Sequence, residues 1–370
     1  MGKINPAILC VNVGSSSIKA SFFDADNQRV DMHYRLGAQP SETDYREAFA
    51  KLGEDLHGKS PDKIAHRFVH GGDVAESARE ITPEELERLN SITPLAPLHL
   101  PMNLLGVKLC ADMFSARQIA CFDTAFHHTL PPLAKVLPIP QKEHIHRYGF
   151  HGLSYAYIAT QLEALIGESA YQRVIIAHLG SGASLCLMQN LQSIDTTMGY
   201  TPAGGVCMGT RSGDLDPGVM LELCKRYDLT ELSKLVNYEM GLFAVSNGLS
   251  SDMEYLLASP KDEAKFAVDY FCRQITSAIG SLAAKAGGVE AVVFTGGIGE
   301  NSSVIRSKIC APLEFMGVKI NEVANLSSQK KLYSTSTVSV LCIKTDEAFM
   351  MKNLAEYIAK NAHIELLSVK

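Results

Sequence analysis

Three glycine- and serine-rich stretches each follow an apolar run, an arrangement suited to gripping phosphate. The first is Asn12-Val13-Gly14-Ser15-Ser16-Ser17-Ile18-Lys19. Glycine tolerates positive φ, so successive backbone N–H groups can converge on an anion, and serine hydroxyls add donors. Lys19 can place a point charge on a phosphate, and Asn12 can offer an oxygen to a metal ion or its waters. The second is His178-Leu179-Gly180-Ser181-Gly182-Ala183-Ser184, with an imidazole at its head. The third, Thr295-Gly296-Gly297-Ile298-Gly299-Glu300-Asn301, is a glycine-rich loop where backbone could approach an adenosine closely. None has the G-x-x-x-x-G-K-[ST] spacing of a Walker A loop, and the third lacks the order of a dinucleotide fingerprint. One such stretch alone is read equally well as a flexible turn. Recurrence is what points to phosphate.

Two arginines stand in unusual surroundings. Arg67 lies in His66-Arg67-Phe68-Val69-His70-Gly71-Gly72, at a strand end before a glycine pair. Arg211 lies in the polar loop Met208-Gly209-Thr210-Arg211-Ser212-Gly213-Asp214. A planar guanidinium on a loop can grip a carboxylate or a phosphoryl group bidentately. Asp123 ends an apolar run, and His151 is framed by Gly149 and Gly152. Taken singly, each of these is more simply a surface, salt-bridge or structural residue.

The elements that must position these groups follow from periodicity. Ile8–Asn12 and Lys19–Phe23 read as strands at hairpin distance, so the first loop sits in a strand–turn–strand unit. Ser41–Leu56 reads as an amphipathic helix, and Ile64–Val69 and Gln118–Phe122 as strands. Pro83–Asn90 is a helix with Thr82 as its N-cap. Four prolines between Leu130 and Gln141 mark an irregular stretch, with the domain change shortly after it. Beyond it the opening recurs, as Val174–Leu179, Gly180-Ser181-Gly182 and Ala183–Met188. Two copies of one phosphate-loop hairpin imply a duplicated fold. Helices are expected over Val219–Tyr227, Asp262–Ala286 and Met350–Lys360, and a buried strand over Ala291–Thr295.

Composition narrows the class. The chain has 370 residues, enough for two domains of roughly 100–200 residues each. It is 46% hydrophobic and 20% charged, and its net charge of −6 leaves no basic stripe for nucleic acid. No apolar run approaches the ~20 residues of a membrane span, and nothing at the N-terminus reads as a signal peptide. Nine cysteines without a CxxC pair imply buried, reduced thiols, hence a cytoplasmic address.

The stretches VNVGSSSIK, HRFVHGG, APLHLPMNLLG, FDTAFHHTLP, RYGFHGLS, AHLGSGAS, MGTRSGDLDP, FTGGIGEN and KTDEAFMM occur in this order from Ile8 to about Lys352. With them the chain resembles the acetate kinases, within the sugar kinase, Hsp70 and actin superfamily. The resemblance implies an α/β protein of two RNase H-like domains with a catalytic cleft between them. Residues 1–152 plus 347–370 would bind acetate and phosphate, with a C-terminal helix returning to the first domain, and 153–346 would bind nucleotide. It also implies a homodimer, ATP/ADP as co-substrate and Mg2+, with Mn2+ as a substitute.

The resemblance further implies roles for the matching residues. Arg67 and Arg211 would hold the carboxylate and the phosphoryl group in flight, with Asp123 close by. His151 would hydrogen-bond the transferring group and His178 would contact phosphate. Asn12 and Glu347 would hold the metal. Ser15, Ser17 and Lys19 would line the first phosphate loop; Gly180, Ser181, Gly182, Asp252, Gly296, Gly297, Ile298, Gly299 and Asn301 would line the nucleotide. Val69, Leu98, Phe150 and Pro202 match the wall around the substrate methyl group, and a valine at the first of these favours acetate over propionate. An acceptor that is already a carboxylate needs no strong base, so Asp123 reads as a positioning group, and the transfer as direct and in line.

Four positions depart from the family pattern: Leu100, Tyr155, Ser181 and Glu254, where the family commonly has Asn, His, Asn and Arg. Glu254 bears most on function, because a carboxylate near an anionic nucleotide weakens binding or changes the donor. The chain is also shortened between Asp24 and Ile64, which implies trimmed surface elements around an intact core. The nearest rivals are a propionate or butyrate kinase and a pyrophosphate-dependent kinase; the distant one is a non-catalytic ATP-binding protein of the actin/Hsp70 type.

Overall fold

The computed structural model describes residues 5–14, 16–37, 40–327, 329–332 and 337–358. Ser15 lies outside the described residues, as does the segment 359–370 that the expected returning domain included. One sheet holds β1 (Ile8–Val13), β2 (Ser17–Phe23), β3 (Arg29–Arg35), β4 (Lys63–Phe68), β5 (Ala78–Glu80) and β6 (Arg117–Phe122), in the order β3-β2-β1-β4-β6-β5. The second holds β7 (Val174–Leu179), β8 (Ala183–Gln189), β9 (Gln192–Thr196), β10 (Ala291–Thr295) and β11 (Ser339–Cys342), in the order β11-β10-β7-β8-β9.

The two sheets follow one path. In each, three strands form an antiparallel meander, and two later strands add parallel to its first strand. This is the RNase H-like topology expected of both halves, and it accounts for the two phosphate-loop hairpins. Both loops lie at the turn between the first and second strands of a meander. The central strands β1, β7 and β10 are almost wholly buried, as strands covered on both faces must be.

By contacts the chain divides into two compact units. The first comprises the chain up to His128, His151–Tyr157 and the segment from Asp346; the second comprises Thr129–Phe150 and Ile158–Thr345. The proline-rich stretch therefore goes with the second unit. Thr129 Oγ1 donates to the Ser193 carbonyl at 2.8 Å, and Arg147 Nη1 donates to the carbonyls of Thr196, Thr197 and Met198 at 3.1, 3.1 and 2.9 Å.

Within the first unit, the helix Glu42–Asp55 turns Tyr45, Ala48, Phe49 and Leu52 inward at helical spacing. Ser41 closes a capping box with Asp44. Thr82 caps Pro83–Ser91 through the Glu85 N–H, as the sequence implied. The helix Glu347–Ile358 buries Met350, Met351, Leu354 and Ala355. It is held to two strands by Cys10 Sγ donating to the Ala348 carbonyl (3.3 Å) and by Lys63 Nζ donating to the Ala355 carbonyl (2.6 Å). All nine cysteines are free, and Cys224 alone among them is exposed. Burial pushes the thiols of Cys110, Cys186, Cys207 and Cys272 up to about 12. No helix among the described residues is long and apolar enough to cross a membrane.

His66, on β4 beside Arg67, is buried, with Nε2 paired to Gln118 Oε1 at 2.7 Å. Burial lowers its pKa to about 4, only partly offset by Gln118. An unfolded chain would protonate this imidazole near pH 6.5, so the folded state is fully favoured above that pH and loses stability as pH falls toward 4. The loss from this group approaches about 3 kcal/mol for a shift of this size. Urea unfolding from pH 7.5 to 4.5 should show His66→Gln flattening that acid-side slope relative to the parent protein.

Candidate active site

In the first unit the expected groups gather around one guanidinium. Arg67 comes from β4 and Asp123 directly follows β6, whose parallel register sets Arg67 opposite Cys121. Asp123 is drawn in further by its N–H, which donates to the Phe68 carbonyl at 3.0 Å. Arg67 donates from Nε (3.0 Å) and Nη2 (2.7 Å) to Asp123 Oδ2, and its Nη1 lies 3.1 Å from Glu347 Oε2. Asp123 is completely buried. Burial works against the Arg67 charge, but Asp123 and Glu347 outweigh it and hold the guanidinium firmly protonated. Burial also lifts the Asp123 carboxyl above the usual carboxylate range, against the pull of Arg67 and with a further push from Glu347. Two carboxyl groups share one cation.

The segment around His151 is built against this cluster. A Cβ on Gly152 would stand 1.9 Å from the Asp123 carbonyl oxygen, so only glycine lets the chain pass there. The helix Gly152–Ile166 begins at that point, and the Leu153 N–H donates to Asp123 Oδ1 at 3.3 Å. His151 itself has φ 58°, a left-handed conformation that costs a non-glycine residue roughly 1–2 kcal/mol. The turn that aims this imidazole is thus imposed by its surroundings.

Asn12 lies on β1, paired with Lys19 on β2 across the first loop. Lys19 is exposed and Ser17 half-buried, and Gly14 donates to the Ser17 carbonyl at 2.9 Å. Side chains two apart on a strand share a face. Cys10 meets the helix Glu347–Ile358 at Ala348, so Asn12 belongs to the face of β1 that turns toward that helix. Asn12 and Glu347 fit Mg2+, which keeps several waters and takes one or two carboxylates plus substrate phosphates. No cluster of three or more His, Cys, Asp or Glu among the described residues forms a cage. Val69 and Leu98 also belong to this unit, and Leu98 is 37% exposed.

In the second unit, Arg211 is held differently. Its Nη1 donates to the Pro202 carbonyl at 2.6 Å, and no carboxylate pairs with it among the described residues. Burial lowers its pKa with nothing to oppose it. A desolvated cation of this kind favours an incoming anion. Its loop is shaped by Gly241, where a Cβ would lie 2.2 Å from the Met208 carbonyl oxygen. Gly209 donates to the Ser181 carbonyl at 3.1 Å, so the Arg211 loop and the second glycine loop are joined. His178 is the last residue but one of β7, opposite Ser184 on β8 and Thr295 on β10, which places the second and third glycine stretches at neighbouring strand ends. Phe150 is buried in this unit and Pro202 is half-buried.

The third stretch corrects one expectation. Gly296–Asn301 is a short helix, not a loop. Glu300 Oε1 folds back to accept from the N–H groups of Gly296 (2.9 Å) and Thr345 (2.9 Å). Fully buried Arg306 donates to the carbonyls of Gly299 (2.8 Å) and Glu300 (2.9 Å) at its far end. These bonds overcome the poor helix propensity of its three glycines. Asp252 is the N-cap of Met253–Ala258, accepting from the Tyr255 N–H at 2.8 Å, and Glu254 is exposed in that helix's first turn.

Two of the departures have structural roles. Leu100 packs with Phe68, Leu89 and Phe122, and Tyr155 lies against the rings of Phe126 and His127. One supporting residue was missed. Buried Asn103 donates from Nδ2 to the Val13 carbonyl (3.2 Å) and accepts from the Val69 N–H (3.4 Å), joining the ends of β1 and β4 beyond their ladder. An amide in the apolar run Pro101–Leu105 was the available signal.

A family model described as the acetokinase family matches residues 43–353. The chain belongs to the acetokinase family. It is 39% identical to an acetate kinase of Rhodopseudomonas palustris (strain TIE-1), over 94% of this chain and 97% of that one. It is 37% identical to an acetate kinase of Rickettsia akari, over 95% and 98%. Among solved structures, a Porphyromonas gingivalis acetate kinase matches with TM-score 0.82 at 31% identity, covering 96% of this chain and 100% of that one. A Francisella tularensis propionate kinase matches with TM-score 0.85 at 30% identity, covering 94% and 98%. This acetokinase is therefore a phosphotransferase with the two-domain, actin/Hsp70-like ATPase fold, and the non-catalytic alternative falls away.

The two arginines should respond differently to removal. Arg67→Ala strands Asp123 in a buried, unpaired state and should cost about 3–5 kcal/mol in denaturant unfolding. Arg211→Ala removes a half-buried cation that has no carboxylate partner among the described residues, so its stability should stay within about 1 kcal/mol of the parent while turnover falls by about 10²-fold or more. Unfolding curves and steady-state rates on the same preparations check both.

Proposed function

We propose that this acetokinase transfers the γ-phosphoryl group of ATP reversibly to acetate, giving ADP and acetyl phosphate by direct in-line displacement. The observation that carries this reading is Arg211, a desolvated guanidinium without a carboxylate partner, on a loop bonded to a glycine-rich phosphate loop. A phosphoryl group in flight spreads negative charge over its equatorial oxygens, so positioning and cationic stabilisation carry most of the catalysis. In this reading Arg211 and His178 take the phosphoryl oxygens, and His151 donates to them as charge develops. Arg67, oriented by Asp123, holds the acceptor carboxylate. Asp123 accepts no proton from substrate; its carboxylate fixes Arg67. Mg2+, held through Asn12 and Glu347 with its own waters, would neutralise charge on the nucleotide phosphates.

Ser17, Lys19, Gly180, Gly182, Gly297, Ile298 and Asn301 are proposed as phosphate and nucleotide contacts, and Val69, Leu98, Phe150 and Pro202 as the wall that limits the acid. The similarity to a solved propionate kinase keeps the longer acid as the alternative, and exposed Glu254 keeps pyrophosphate as an alternative donor. A homodimer in the cytoplasm is also proposed. The helix Pro217–Arg226 buries none of its residues, and Leu221 and Leu229 are 67% and 84% exposed.

Hydroxylamine trapping with ATP and Mg2+ tests the function, because a hydroxamate formed together with ADP, not AMP, comes from an acyl phosphate. Acetate should give the highest kcat/KM, with propionate about 10-fold or more lower, the scale set by one methylene in an apolar pocket. Val69→Ala should narrow that gap. Retention of configuration at a chiral γ-phosphorus would overturn direct transfer, and silence with acetate, propionate and butyrate alike would overturn the ATP-dependent reading.

A further inference from the structure

Glu347 stands at the first turn of its helix, where nothing in its own side chain fixes the helix end. The fixing comes from the preceding residue. Asp346 is shared between two tasks: Oδ1 accepts from the Phe349 N–H at 3.0 Å, capping the helix, and Oδ2 accepts from Arg29 Nη1 on β3. Arg29 has further partners on its own sheet. Its Nε donates to Asp31 Oδ1 (2.7 Å), its Nη2 approaches Ser21 Oγ (3.4 Å), and its guanidinium lies 5.3 Å from the Phe23 ring centroid. Ser21 in turn donates to Asp31 Oδ1 at 2.5 Å. The helix end is thus tied to the first sheet on one side by Arg29–Asp346, and one peptide bond later by Glu347–Arg67.

We propose that Arg29 and Asp346 are positioning residues that hold Glu347 at Arg67, and so set how well this site takes the nucleotide-borne divalent cation. The proposal rests on the metal role given to Glu347 above. It concerns a pair that touches neither substrate nor metal. The Cys10–Ala348 and Lys63–Ala355 bonds hold the body of the helix, and the Arg29–Asp346 pair adds a contact at its very start, beside Glu347. Small misplacements matter in such a site, since about 1 Å can cost about 10²-fold.

The test is Mn2+ binding by electron paramagnetic resonance in the presence of ADP, alongside Mg2+-dependent kinetics and thermal unfolding. Asp346→Asn keeps the cap, because asparagine caps as well as aspartate, but it loses the charge pair with Arg29. Arg29→Ala and Asp346→Asn should each weaken Mn2+ binding about 10-fold and raise the Mg2+ requirement in step, the lower end of the range for residues behind a ligand. The loss in turnover should shrink as Mg2+ is raised toward saturation. The double variant should be no weaker than either single, and Arg29→Lys should recover part of the loss. Mn2+ affinity unchanged in Asp346→Asn, or effects of the two singles that add, would overturn the proposal. Should Arg29→Ala fold poorly, Asp346→Asn and Arg29→Lys still decide it. Mn2+ binding is read without turnover, so failure of the acid-kinase reading would show in the trapping assay and leave this result standing on its own.

Discussion

A guanidinium that is nearly out of water, gripped by a fully buried aspartate on one side and a glutamate on the other, is the constraint around which the first unit is organised. Removing two carboxylates and an arginine from solvent is favourable only when every bond is made. Each surrounding element supplies part of that. The parallel pairing of β4 and β6 brings Arg67 and Asp123 to the same edge, and the chain at Gly152 approaches closely enough for the Leu153 amide to reach the second aspartate oxygen. The helix Glu347–Ile358 returns from the far end of the sequence to complete the grip.

The two units repeat one sheet path but finish it with different electrostatics. In the first, an aspartate and a glutamate grip one arginine. In the second, Arg211 is desolvated and has only a carbonyl for company. The first unit thus sets its guanidinium between two carboxylates, whereas the second leaves a guanidinium without one among the described residues. Duplication supplied a common scaffold, and the residues at the strand ends divide the labour.

Much of this was legible in the sequence, because most of the elements concerned carry a strong period or a strong cap. The strands Val174–Leu179 and Ala291–Thr295 and the helix Asp262–Ala286 are long apolar or amphipathic runs whose bounds the pattern defined. The ordered motifs pointed to Arg67, Asp123 and Glu347, which the structure brings into one cluster. β3 was not legible: of Arg29–Arg35 only Tyr34 is buried, so no alternation marks it, although Arg29 proves to anchor a helix some 300 residues away in sequence. Gly296–Asn301 was read as a loop because its composition is glycine-rich, and the bonds that wind it come from Glu300 and from Arg306 beyond the stretch. The partners of Asn103 were equally hidden, since both are backbone groups that no side-chain pattern announces.

The distribution of sulfur has a practical consequence. Eight thiols are buried, while Cys224 sits exposed on the helix Pro217–Arg226. Thiols kept from solvent and from their ionised form react slowly with electrophiles. A maleimide reagent therefore meets one addressable position in the single subunit, and protection of that thiol would report a second copy covering the helix. A single fluorophore can be attached there without rebuilding the other eight sites, giving an optical reporter on that face in an otherwise unaltered chain.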